Sequence, residues 1–198
     1  MTQSSRFLLT ALIWLLSSFS LHASDKTPPP VPEKLKNLGG NFTLHSSKGN
    51  VSLSDYQNKV VLLYFGFINC PDACPATLSN WTKAFNKLNE AEQKRVQGIM
   101  VSVDPERDTV KELEFFTEFF HKNIVGVTGS IEELKKVNKL YGTDFEALAH
   151  EPGKNYGVEH SVSVYIIDPS GKLRDISDFN ASPDTLLKKI RNALSIYY

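Results

Sequence analysis

Cys70 and Cys74 are the only two thiols in this 198-residue chain, and they stand four positions apart in Phe67-Ile68-Asn69-Cys70-Pro71-Asp72-Ala73-Cys74-Pro75. The apolar run Val60-Val61-Leu62-Leu63-Tyr64-Phe65 leads directly into them. A strand that delivers two thiols to the start of a helix is a reactive arrangement. Four residues of helix rise only about 6 Å, so both sulfurs can lie on one face. A disulfide needs Cα atoms roughly 4.4–6.8 Å apart. The pair can therefore close into a disulfide, or open and grip one soft metal ion. Pro75 suits the first helical position, which makes Cys74 the expected N-cap. A thiolate there would face unsatisfied N–H groups and the positive end of the helix dipole, both of which lower its pKa. Cys70 is expected to be the more exposed sulfur, with Pro71 and Asp72 shaping the turn between them.

The elements that must position these thiols can be read in order. Phe42-Thr43-Leu44 and Val51-Ser52-Leu53 alternate around Lys48-Gly49-Asn50, a β-hairpin pattern. Lys59 to Phe65 suits a strand buried on both faces. A helix is expected from about Cys74 to Glu90, and a second buried strand from Val96 to Val103. Thr109 with Glu112 and Ser130 with Glu133 form capping boxes that open two helices, the second stopping at Gly142. Ile124 to Thr128 reads as a short strand between them. Ser161 to Ile167 is expected as a strand, turning through Asp168-Pro169-Ser170-Gly171 into Lys172 to Ser177. Ser182 and Pro183 then cap and start the last helix. Strands alternating with helices imply an α/β domain, a central mixed sheet flanked by helices with an N-terminal β-hairpin. With the thiols at the first long strand-to-helix junction, the order matches a thioredoxin-like fold.

Thiolates are soft ligands that favour Cu(I), zinc and iron–sulfur centres. Two sulfurs do not fill a coordination sphere, so a third donor is sought among His22, His45, His121, His150 and His160. His45 in the hairpin and His121 at a helix end read as surface residues, the latter as a cation favoured by the dipole. His150 lies in an irregular stretch. His160 ends Tyr156-Gly157-Val158-Glu159-His160, just before an expected strand whose entry faces the cysteine junction in this fold. Thioredoxins carry a cis-proline at that entry, and this chain does not. Alone, a histidine before a strand reads as an ordinary satisfied polar residue. Beside a thiol pair it becomes a candidate third ligand.

Together these segments resemble the Sco/SenC family of copper proteins involved in cytochrome c oxidase assembly. The resemblance runs from about Gly39 to the C-terminus. It is carried by Tyr64-Phe65-Gly66-Phe67 leading into Cys70-Pro71-Asp72-Ala73-Cys74-Pro75, by Val101-Ser102-Val103-Asp104-Pro105-Glu106-Arg107-Asp108-Thr109, by Glu159-His160-Ser161, and by Tyr165-Ile166-Ile167-Asp168-Pro169-Ser170-Gly171. It implies copper bound by Cys70, Cys74 and His160, and transfer of copper to, or thiol reduction of, the dinuclear site of oxidase subunit II. Glu159 stands where the family has aspartate and keeps its charge. The segment from Asp104 to Thr109 reads as a strand exit plus helix cap, with Arg107 pairing with Asp108 or Asp104.

Composition narrows the alternatives. Lysine plus arginine and aspartate plus glutamate number 22 each, which argues against a nucleic-acid partner. Arg6, the apolar stretch from Phe7 to Leu16 and the small residues ending at Ala23 read as a signal peptide over residues 1–23, with an uncleaved anchor as the alternative. Residues 24–38 read as a proline-rich linker, and 39–198 as the folded domain. The expectation is an exported protein, in the periplasm or at the outer face of the inner membrane if bacterial. In an oxidising compartment a structural disulfide is the simplest use of two cysteines. So small a loop, however, removes little chain entropy.

Three functions follow. The first is a copper metallochaperone. The second is a thiol–disulfide oxidoreductase, with Cys70 attacking and Cys74 resolving, recharged by a thioredoxin-like reductant and needing no metal. The third is a peroxidase, which requires a threonine and an arginine about the thiol. Thr77 is available for that role, but no arginine is obvious in the sequence nearby.

Overall fold

The computed structural model describes residues 28–148 and 156–197. The signal segment and His150 lie outside them. Among the described residues no helix is long and apolar enough to cross a membrane.

The hairpin forms as expected from β1 (Thr43–Ser46) and β2 (Gly49–Ser52), paired from Thr43 opposite Ser52 to Ser46 opposite Gly49. Then come β3 (Val60–Gly66), α1 (Ala73–Asn86), the single turn α2 (Glu90–Gln93) and β4 (Val96–Ser102). They are followed by α3 (Val110–Phe120), β5 (Ile124–Val127), α4 (Ile131–Leu140), β6 (Phe145–Ala147), β7 (Val158–His160), β8 (Val164–Ile167), β9 (Leu173–Ser177) and α5 (Pro183–Ser195). Both expected capping boxes are present, with Thr109 accepting from the Glu112 N–H and Ser130 from that of Glu133. Gly142 closes α4 at φ +68°, a backbone conformation that glycine adopts without strain.

The central sheet has the order β5-β4-β3-β8-β9. β3, β4 and β5 are parallel, and β8 and β9 are antiparallel additions. Every residue of β3 is buried, and its side chains alternate between two cores. Val60, Leu62 and Tyr64 pack with Leu78, Trp81 and Phe85 of α1, Leu113 of α3, and Leu186 and Ile190 of α5. Val61, Leu63 and Phe65 face Leu134 and Val137 of α4 together with Phe42 and Leu44. Each large apolar side chain buried this way contributes roughly 1.5–3 kcal/mol.

Four expectations need correction. The helix foreseen to Glu90 stops at Asn86, because Asn89 and Glu92 form their own capping box and start α2. The strand foreseen from Ser161 to Ile167 begins only at Val164, and a separate strand, β7, ends at His160 before it. The Ser163 N–H bonds to the Ser161 side chain at 3.2 Å, so residues 161–163 turn locally between β7 and β8. β7 pairs instead with β6, a strand that sequence reading missed. Finally, the end of the expected linker is packed: Glu33–Leu35 form a 3-10 turn and Leu35, 3% exposed, enters the core.

Candidate metal centre

The topology brings two distant segments together. β8 runs antiparallel to β3, with Val164 opposite Tyr64. The start of β8 therefore lies beside the end of β3. The end of β3 leads into the cysteine loop, and the start of β8 follows His160 by four residues. The Sγ atoms of Cys70 and Cys74 and a ring nitrogen of His160 all lie within 4.8 Å of one another, the only such cluster of potential ligands among the described residues. Both cysteines are free thiols.

The two sulfurs occupy different surroundings. Ala73, not Pro75, is the first helical residue, so Asp72 takes the N-cap position and Cys74 sits inside the first turn. Cys74 is 0% exposed, among Tyr64, Leu78 and Trp81. Cys70 is half-buried, as expected of the outer thiol. The expected order of acidities is consequently reversed. The Cys74 thiol donates to the Cys70 sulfur, and backbone N–H groups of Cys74 and Asp72 point at the same atom. Despite some desolvation, and with help from His160, these contacts push Cys70 down to about 5. Cys74 moves up, because it holds the shared proton and because its apolar pocket disfavours a charge. The helix start thus does lower a thiol pKa, but that of Cys70.

Tyr64 reaches Cys74 from below, its hydroxyl 3.6 Å from the sulfur. Desolvation first, and then the neighbouring sulfur, pushes this phenol up, so it stays protonated. Gly66 is required by the same contact. A Cβ there would stand 2.7 Å from both the Cys74 Sγ and the Tyr64 ring.

His160 is the last residue of β7, paired with Phe145. Its ring is edge-on to Tyr64 and to Phe67, at 6.1 and 5.6 Å between centroids. Nδ1 lies 2.8 Å from the Ser161 carbonyl. A carbonyl only accepts, so Nδ1 carries the proton and Nε2 keeps a lone pair free for a metal. Two thiol sulfurs and one imidazole nitrogen form a donor set that fits a soft or borderline ion such as copper. His160 also lines an open groove of about 600 Å³ with Lys135, Asp144, Phe145, Glu146 and Glu159.

The other described histidines stay apart. His45 bonds to Asn50 and faces Glu133, exposed on the hairpin. His121 is not the surface cation expected. It packs edge-on to Phe85 and accepts the Asn123 N–H, and burial together with Lys122 pushes its pKa down. Thr77, considered for a peroxidase, spends its hydroxyl on the Ala73 carbonyl.

The segment from Asp104 to Thr109 does more than leave a strand and cap a helix. Asp108, 1% exposed, accepts the Ile68 N–H at 2.9 Å and the Ser102 hydroxyl at 2.6 Å. It therefore ties down the loop two residues before Cys70. Burial raises its pKa despite those bonds. Arg107 pairs with Asp104, as one of the two expected partners. The signal available in the sequence was two aspartates flanking an arginine, with nothing to show what they hold.

The model of the SCO1/SenC family matches residues 31–195. Protein sco1 of Schizosaccharomyces pombe is 37% identical over 156 residues, covering 77% of this chain and 59% of that protein. The mitochondrial protein SCO2 of Saccharomyces cerevisiae is 35% identical over 162 residues, covering 81% of this chain and 54% of its own. The chain thus spans little more than half the length of these relatives. The crystal structure of yeast Sco1 with copper bound superposes with a TM-score of 0.74 at 32% identity, covering 82% of this chain and 91% of that one. With a family match over most of its length and a copper-bound relative sharing its fold, the chain belongs to the SCO1/SenC family.

Proposed function

We propose that the reduced protein binds one copper ion through Cys70, Cys74 and His160 and carries it to the copper centre of cytochrome c oxidase subunit II during assembly of the oxidase. The observation that carries this reading is the convergence of three donor atoms within 4.8 Å from segments 86 residues apart. Few ligands and an open groove beside His160 favour handing the ion on by ligand exchange. Arg6 and the apolar stretch after it support export, and delivery on the outer side of a membrane. The test is to incubate the copper-loaded protein with the metal-free copper domain of subunit II and follow the ion. Copper should appear on the acceptor from wild type. Retention of all copper by the donor would count against delivery.

A second reading rests on the asymmetry of the thiols. A half-buried Cys70 of low pKa backed by a buried protonated Cys74 suits disulfide reduction. The Cys70 thiolate would attack a partner disulfide and release one partner thiolate. The Cys74 sulfur would then displace the second, leaving Cys70–Cys74 oxidised and the partner reduced by two electrons. A thioredoxin-like reductant would restore the pair. Metal-free protein that reduces oxidised subunit II stoichiometrically supports this reading.

A further inference from the structure

His160 is carried on a fragile element. β6 and β7 are three residues each and form a sheet of their own. An isolated two-stranded sheet is at best marginally stable in water. Phe145 and Val158 anchor this one in the core, and further contacts outside the ladder must hold the imidazole within 4.8 Å of the thiols. Four residues before His160, the Tyr156 hydroxyl donates to Asp104 Oδ1 at 2.7 Å. The other oxygen of that buried carboxylate accepts from Arg107 at 2.5 Å. The Arg107 guanidinium lies 3.6 Å from the centroid of the Tyr156 ring and 5.7 Å from that of Phe67. Phe67, three residues before Cys70, is the ring that His160 meets edge-on. Asp104 is itself fixed, its N–H on the Ser102 hydroxyl and its carbonyl accepting the Asp108 N–H at 2.9 Å.

We propose that Asp104, Arg107 and Tyr156 form a positioning clasp that holds the His160 strand against the cysteine loop and so sets the separation of imidazole and thiols. The inference rests on the copper reading given above. Arg107 is the hinge pin of the clasp, since it pairs with Asp104, lies against the Tyr156 ring and has the Phe67 ring nearby. Tyr156 is the residue of the clasp on the β7 side, and it also packs against the core. None of the three residues supplies a ligand, and each acts through His160.

The test uses Tyr156→Phe, which removes only the hydroxyl, and Tyr156→Ala, which also removes the ring, each in wild-type and His160→Ala backgrounds. Cu(II) affinity of the reduced protein is measured without oxygen by chelator competition, and the Cys70–Cys74 midpoint potential is measured on the metal-free protein. Tyr156→Ala should lower Cu(II) affinity by about 10-fold, the range seen when outer-shell partners of metal ligands are lost, and Tyr156→Phe by less. Both should move the thiol midpoint little, because His160 is a weaker influence on Cys70 than its hydrogen bonds to Cys74 and Asp72. Neither should weaken copper binding further once His160 is alanine, because residues acting as one unit are not additive. Unchanged affinity in Tyr156→Ala, or an equal loss in the His160→Ala background, overturns the clasp. If His160→Ala alone leaves affinity unchanged, the three-ligand reading fails and the clasp falls with it. If His160→Ala weakens binding and Tyr156→Ala does not, only the clasp is overturned.

Discussion

The hydroxyl of Tyr64 sits 3.6 Å from the sulfur of Cys74, and the edge of the same ring meets His160. One fully buried phenol therefore touches two of the three candidate ligands from the protein side. A hydroxyl that donates to a ligating sulfur withdraws electron density from it, which favours the reduced metal. In Tyr64→Phe the Cu(II)/Cu(I) midpoint should fall and the sulfur-to-copper charge-transfer band should move to lower energy. Voltammetry and visible absorption read both. No movement in either would remove Tyr64 from the site's electronics.

Gly66 tests the packing beneath the same sulfur. An alanine Cβ would meet Cys74 and Tyr64 at 2.7 Å, and both side chains are fully buried. Overpacking of this kind costs about 1–3 kcal/mol, so Gly66→Ala should lower thermal stability. It should also weaken copper binding, because the sulfur has to shift. A variant with wild-type melting and wild-type copper affinity would show that the loop yields more easily than the geometry implies.

Cys70 should be the reactive thiol across most of the pH scale. Its folded pKa of about 5 lies below the ordinary thiol value, so the thiolate persists as pH falls and is lost only near that value. Alkylation of the metal-free reduced protein should therefore modify Cys70 first, with a rate that falls through about pH 5. Cys74, buried and shifted the other way, should stay unmodified until the protein unfolds. Mass mapping after brief exposure to iodoacetamide at several pH values gives the answer. Preferential labelling of Cys74 would reverse the assignment.

His160→Ala should affect the two oxidation states unequally. Two thiolates suit the soft Cu(I) ion, whereas the harder Cu(II) ion depends more on a nitrogen donor. Cu(II) affinity should fall by more than Cu(I) affinity, as parallel competition titrations will show. Equal losses would indicate that the imidazole acts on the fold rather than on the ion.

Local signals in the sequence translate directly into structure here. The capping boxes at Thr109–Glu112 and Ser130–Glu133 fall where side-chain spacing places them, because each is satisfied within four residues. The uninterrupted apolar run of β3 and the Cys70–Cys74 spacing were legible for the same reason. What could not be read depends on contacts between distant residues. The acidity of Cys74 is decided first by the proton it shares with Cys70 and then by burial beside Tyr64 and Trp81, which together override its place near a helix start. The Asp108 bond to Ile68 spans 40 residues, and neither residue type announces it. β6 and β7 are too short to show a period, and they exist because Phe145 and Val158 reach the core. His160 could be nominated from its company of thiols, but its tautomer required the Ser161 carbonyl to be located.

The central claim is that one copper ion is held by Cys70, Cys74 and His160 together. X-ray absorption at the copper edge of the reduced, singly loaded protein tests it most directly. The expected spectrum has two sulfur neighbours and one nitrogen neighbour, with the outer-shell scattering of a single imidazole, and that imidazole signature disappears in His160→Ala. A first shell of nitrogen and oxygen alone, or an imidazole signal that survives in His160→Ala, would contradict it.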